Sequence, residues 1–237
     1  MSKVSVAILR RNKVVPRVNL VLAVSQGGGF FVGKIQKIII IKIGSGVLLT
    51  KHHKVDQFRI KHIANQISAL RSDGYQVVLI VSGAVAYGSR FIDVSEHNSH
   101  RKLAASIGQI YIITALNEIF GRANMQISQL LLTKEDLVKR QKDIKELIEF
   151  SLVNNLIPVI NENDVLDLNS FGGNDLLAVE IAKQLKTEKV IILSTLQGST
   201  YGVGGAKTKI EAKKHLENRN ILMHILDGKQ KNVLLTI

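Results

Sequence analysis

The sequence predicts an α/β fold: a three-layer α-β-α sandwich around a mostly parallel central sheet. Three observations carry this expectation. Short aliphatic runs such as Ile38–Ile43 and Gln76–Val81 alternate with longer segments of helical apolar spacing. The runs are apolar at nearly every position, as strands covered by helices on both faces are. Glycine-rich and polar stretches (IKIGSG, IVSGAVAYG, PVINENDV, FGGND, ILSTLQG and GVGGAKTK) gather at the carboxyl ends of the strands. Ligands of open α/β sheets bind at those ends.

Taken in order, residues 1–34 stand apart. VSVAIL and VNLVLAVS are β-like runs, broken by RRNKVVPR and closed by QGGGFFVGK. Three readings are open: a basic, poorly ordered or loosely attached extension, an organelle-targeting segment, or an added hairpin on the sheet edge. The first is adopted, with residues 35–237 forming one domain. There, 38–43 is the first strand. A helix follows over 56–71, with Ile60, Ile63, Ile67 and Leu70 on one face, Asp56 as its cap and Gly74 at its end. Strands are expected at 76–81, 126–132, 156–160, 190–193 and 221–226. Helices are expected at 101–120, with Leu103, Ile107, Ile110 and Ile113 inward, at 134–154 as one long element, and at 174–185 and 205–217.

Composition narrows the function. The 237 residues include no cysteine, which excludes a disulfide scaffold and thiolate-held zinc and fits a reducing compartment. No uninterrupted apolar run reaches the roughly 20 residues that cross a bilayer. The net charge is +13, but no Asp or Glu precedes Asp56, and ten Lys and Arg residues fall before it. The excess belongs to the front end, not to repeated basic patches interleaved with aromatics, so a nucleic-acid partner is not expected. The seven histidines show no metal-ligand spacing.

Several residues can carry chemistry. Lys42 interrupts a buried strand near its end, and Gly44-Ser45-Gly46 follows that strand. A cation beside a loop without bulk suits a phosphate, although a snorkelling lysine before a flexible turn fits the same letters. The loop is neither GxxxxGK[ST] nor GxGxxG. Lys209 follows Gly204-Gly205 near a helix start; the basic first turns of a surface helix would have this sequence, but a cation there opposes the macrodipole, which tilts the reading towards an anion site. Ser82-Gly83-Ala84 suits a carboxylate or an ordinary strand-to-helix turn. Asn161, Asn163 and Asp164 suit an ammonium group, and Asp175 either caps its helix or holds a lysine.

Together, IIIKIGSGVL, VLIVSGAVAYG, KLAASIGQ, ISQLLLTKEDL and IPVINENDV resemble the amino acid kinase family. Within it they are similar to the branch that phosphorylates the γ-carboxylate of glutamate at the start of proline biosynthesis. The resemblance runs from about Lys37 to the C-terminus. It implies that Lys42 and Lys209 handle phosphate and that Asp175 organises them. It implies that Ser82, Asp164 and Asn174 hold glutamate. Gly44, Ser194, Thr195, Val203, Gly204, Gly205, Ala206, Lys207, Thr208 and Lys209 would bind the nucleotide. ATP and Mg²⁺ are the implied cofactors and L-glutamate the acceptor. A homo-oligomer without a membrane partner is implied, located in the cytoplasm, or in an organelle if residues 1–34 target it there.

The sequence departs from the family in places. Thr195 stands where the family usually has Asp, and Gly173 where an acidic residue is often found. Residues 199–203 alone separate Gly198 from Gly204, where the family has several tens of residues that help to bind the nucleotide. The small C-terminal RNA-modification-like domain of many bacterial members has no counterpart in this sequence. The alternatives are therefore a degenerate, catalytically weak paralogue that binds glutamate or serves in an oligomer, and a family member acting on acetylglutamate or uridylate.

Overall fold

A computed structural model describes residues 20–24, 30–34, 37–94, 97–185, 187–195 and 206–237. Two antiparallel strands come first, β1 (Leu20–Val24) and β2 (Phe30–Lys34), paired only with each other. The rest of the expected basic extension lies outside the described residues.

Six parallel strands form the main sheet: β3 (Ile38–Ile43), β4 (Gln76–Val81), β5 (Ile127–Leu132), β6 (Ile157–Glu162), β7 (Lys189–Ser194) and β8 (Leu222–Asp227). Their spatial order is β5-β6-β4-β3-β7-β8. Each lies where the apolar runs place it, within two residues at the ends. The helices are α1 (Ser45–Leu48), α2 (Gln57–Ser72), α3 (Ala84–Gly88), α4 (Asn98–Arg122), α5 (Lys134–Lys139), α6 (Gln141–Val153), α7 (Asn174–Leu185) and α8 (Ala206–Glu217). A short 3₁₀ turn, Val233–Thr236, ends the chain.

Strand alternation divides the core in two. Ile39, Ile41 and Ile43 pack with α2 and α4; Ile38 and Ile40 pack with α6, α7 and α8. The result is three layers, as expected. Lys42 has the parity of Ile38 and Ile40, so the strand itself directs it towards the α7 layer. Asp56 caps α2 by accepting from the Arg59 N–H at 2.9 Å, and Gly74 closes that end at φ +89°.

Two expectations are corrected. The single helix over 134–154 is two. A capping box between Thr133 and Asp136 starts α5, and Arg140 leaves helical geometry at φ −127°, ψ 27° before α6 begins. No Gly or Pro marks the break, and the apolar stripe runs through it. The inward face of α4 is also different. Leu103 and Ile110 are exposed, while Ala104, Ala105, Gly108, Gln109, Ile112 and Leu116 are buried. The cause is a close crossing with α3: a Cβ on Gly108 would lie 1.9 Å from the Ala84 carbonyl oxygen, and one on Gly88 1.8 Å from that of Ala104. Small residues must face this crossing, which rotates the larger aliphatics outward. Helix α4 is long and apolar enough to cross a bilayer by length and composition, a test that a core helix also passes, and Arg101, Lys102, Glu118 and Arg122 interrupt its apolar positions. Its buried face lies on the sheet.

Candidate active site

The connections leaving β3 and β7 run in opposite directions, towards β4 and towards β8. A crevice opens between such strands at their carboxyl ends. Gly44 enters it, its N–H donating to the Leu193 carbonyl at 2.9 Å. A Cβ on Gly44 would sit 3.1 Å from that oxygen and 3.7 Å from Lys42 Nζ. Gly46 lies against Thr195, whose Oγ1 would be 3.0 Å from an added Cβ. The loop after β3 is thus packed against Ser194-Thr195.

Asp175 organises the charge. Its Oδ1 is 2.7 Å from Lys42 Nζ, and its Oδ2 is 3.2 Å from Lys209 Nζ. Thr208 Oγ1 donates to the same Oδ2 at 3.3 Å. Lys42 is 6% exposed and Asp175 0%. Burial pushes the Lys42 ammonium below its ordinary value, and Asp175 works against that. Burial alone would raise the Asp175 carboxyl, but the two lysines outweigh it and hold the group below its usual range. Two ammonium groups on one carboxylate leave positive charge in excess, at a crevice with loop backbone on one side. The arrangement suits an anion.

A second, narrow cleft adjoins β6, with room for about one water molecule. Ala84, Ala105, Gln109, Leu131, Glu162, Asn163, Asp164 and Val165 line it. Asp164 accepts from the Asn169 N–H at 3.2 Å; burial raises its pKa, and Arg101 opposes the rise. Glu162 is pushed up to about 7, first by burial and then by Asp164, although the Phe171 and Gly173 N–H groups donate to it. Those bonds pin the turn before α7. Gly173 stands at φ +120°, a conformation that favours glycine, which accounts physically for the missing acidic residue there. Asn174 Oδ1 is buried with no partner, an acceptor open to a ligand donor.

The structure therefore brings Lys42, Lys209, Thr208, Asp175 and Gly44 together, with Ser194 and Thr195 beside them. Ser82 directly follows β4, next to Gly83, whose φ of +107° turns the chain into α3 beside Ser45. Asp164 lies in the adjoining cleft, and Asn174 precedes Asp175 on α7. Lys207 is exposed on α8 and is not part of the Asp175 cluster. Ala206 opens α8, and Val203, Gly204 and Gly205 lie outside the described residues. Glu162 and Gln109 were not singled out from the sequence. Gln109 ends the KLAASIGQ stretch, and the letters alone do not say that it lies on the buried face of the helix.

Comparison with known proteins gives the chain's relatives. Glutamate 5-kinase of Syntrophus aciditrophicus (strain SB) is 32% identical over 241 residues, covering 85% of this chain and 62% of its own length. Glutamate 5-kinase 2 of Bacillus subtilis (strain 168) is 34% identical over 185 residues, covering 75% of this chain and 49% of its own length. Glutamate 5-kinase of Clostridium tetani (strain Massachusetts / E88) is 29% identical over 238 residues, covering 84% of this chain and 89% of its own length. The chain spans 62% and 49% of the first two relatives. A UMP kinase from Ureaplasma parvum superposes with a TM-score of 0.59 at 15% identity, covering 84% of this chain and 93% of its own, which bears on the fold alone. Residues 37–198 match the profile of the amino acid kinase family, and the chain belongs to that family.

Proposed function

We propose that the chain is a glutamate 5-kinase, transferring the γ-phosphoryl group of ATP to the γ-carboxylate of L-glutamate, the first step of proline biosynthesis. The observation that carries this reading is the pair of lysines on Asp175 at the crevice, beside a cleft holding Asp164. At neutral pH a glutamate γ-carboxylate, with a pKa of about 4.3, is already an anionic nucleophile. One of its oxygens bonds to the γ-phosphorus, the bond from that phosphorus to the β,γ-bridging oxygen breaks, and ADP leaves with the electron pair. No proton moves, so no general base is required. The work is to align two anions and offset their repulsion. Lys42 and Lys209 are suited to that, with Asp175 fixing both. Asp164 and Asn174 Oδ1 offer acceptors for the α-ammonium group.

The residues fit a magnesium ion carried by the triphosphate better than one held by the protein. Both Asp175 oxygens are engaged by lysines, and no group of three or more acidic, His or Cys ligands occurs among the described residues. Mg²⁺ is commonly bound through substrate phosphates and water, and supplies charge neutralisation there. The reading includes a cytoplasmic location and a homo-oligomer. Support for the oligomer comes from the outward face of α4 and the turn after α3, where Leu103, Ile110, Tyr111 and Phe91 are exposed. A coupled assay of ADP release with and without L-glutamate tests the reaction; folded protein giving no glutamate-dependent ADP defeats it.

A specific observation favours a second reading. With only residues 199–203 between Gly198 and Gly204, and Thr195 in place of the usual Asp, the chain lacks sequence that the family uses around the nucleotide. A catalytically weak paralogue that still binds glutamate would have this form.

A further inference from the structure

Gln109 lies at the cleft on α4 and is 8% exposed. Its amide orientation is fixed by a chain of bonds rather than by choice. The Glu162 N–H donates to Asn161 Oδ1 at 2.9 Å, so the other end of Asn161 is its Nδ2 donor. That Nδ2 donates to Gln109 Oε1 at 2.8 Å. Gln109 must then present Nε2, which is buried without a partner. A buried donor left unpaired loses its hydrogen bonds to water with nothing in return, so such atoms call for an explanation. The position is enforced as well. The contact of Gly108 with the Ala84 carbonyl holds α4 against the start of α3, beside the Ser82-Gly83 loop.

We infer that Gln109 is an acceptor-binding residue, its Nε2–H donating to the α-carboxylate of the amino-acid substrate. This rests on the kinase reading above. Asp164 lines the same cleft and suits the α-ammonium group. The α-carboxylate shares a carbon with that ammonium and so reaches the same cleft. The γ-carboxylate is the group that extends to Lys42 and Lys209. Asn161 acts through Gln109 as a positioning residue, holding the amide so that a donor and not an acceptor faces the ligand.

The test is calorimetric titration of the full chain, at pH 8 with Mg²⁺ and a non-hydrolysable ATP analogue. The ligands are L-glutamate and 4-aminobutyrate, which keeps the amine and the reacting carboxylate but lacks the α-carboxylate. Gln109→Leu should weaken glutamate about 10- to 100-fold, the scale of one hydrogen bond to a charged group, and change 4-aminobutyrate by less than about twofold. Gln109→Glu still accepts from Asn161, so a purely structural role would survive it; glutamate binding should nonetheless fall at least about 10-fold. The inference is overturned if Gln109→Glu binds glutamate as the parent does, or if Gln109→Leu weakens both ligands equally. A parent chain that binds no glutamate overturns the kinase reading and this inference with it. A parent that binds, with variants unchanged, overturns this inference alone.

Discussion

Lys42 Nζ stands 2.7 Å from Asp175 Oδ1, and both groups are almost wholly withdrawn from water. Burial works against the lysine's charge and Asp175 sustains it. Asp175→Asn therefore removes more than a contact, because it lets the buried ammonium lose its proton. Turnover should fall by roughly 100-fold or more, the scale of losing one transition-state charge contact. Since a lysine with a lowered pKa regains its charge as pH falls, the residual turnover of the variant should rise relative to the parent towards acidic pH. Lys42→Ala should lose as much, without that recovery. A pH–rate comparison of the three proteins checks both, and parallel profiles for Asp175→Asn and the parent would defeat the account.

Glu162 gives a stability prediction. Its pKa is raised from 4.5 to about 7 by burial and by Asp164, with Asp167 adding to the effect and the Phe171 and Gly173 N–H groups opposing it. Lys42 also faces it electrostatically. The folded state keeps the proton after the unfolded chain has released it. Stability from this group is therefore present below pH 4.5 and is lost progressively as pH rises to about 7, by on the order of 3 kcal/mol. Glu162→Gln should flatten the melting temperature across that window relative to the parent. Thermal melts at a series of pH values decide it; two curves of equal slope would show that Glu162 ionises normally.

The sequence made the six parallel strands and the crevice legible, because runs such as QVVLIV have one physical explanation. It also made Lys42 and Asp175 legible, as polar letters at a strand end and a helix start. What it concealed was orientation. Leu103 and Ile110 have ideal spacing for an inward face, yet Gly108 and Gly88 bring two backbones so close that the helix turns its small side inward. Gln109 was hidden for the same reason: its burial depends on which face of α4 meets α3. The break at Arg140 leaves no composition signal at all.

The outward face of α4 should be where two copies meet. Ile110 is 65% exposed, and Tyr111 stacks on Tyr87 at 5.0 Å and on Phe91 at 5.6 Å between ring centroids. Arg90 lies 4.9 Å over the Tyr87 ring. Ile110→Asp should leave the melting temperature of the fold near the parent's and lower the solution mass to that of a monomer, read by light scattering after gel filtration. A parent that is monomeric at all concentrations tested removes this surface from consideration.

Asp164→Ala should raise the Michaelis constant for glutamate well above any change in that for ATP. Its carboxylate lines the cleft beside β6, proposed for the acceptor, whereas the lysine cluster lies on Asp175. Initial-rate kinetics with each substrate varied in turn measure the two constants; movement of the ATP constant alone would exchange the roles of the two clefts.

Nucleotide selectivity follows from what the chain spends on the phosphates and what it lacks for the base. Lys42, Lys209 and Thr208 converge on Asp175, and Gly44 approaches Lys42, so the proposed phosphate contacts all come from described residues. Between Gly198 and Gly204 the sequence has five residues, enough to close a turn and too few to build a wall for adenine as well. Binding should then be driven by phosphate charge, with base contacts contributing little. ATP should bind weakly, GTP within a few-fold of it, and tripolyphosphate should compete with both, all more weakly as salt rises. Turnover should be correspondingly low. Calorimetry with the three ligands and Mg²⁺ in one buffer makes the comparison. Tight, adenine-selective binding would show that other residues of this chain have taken over the base contacts.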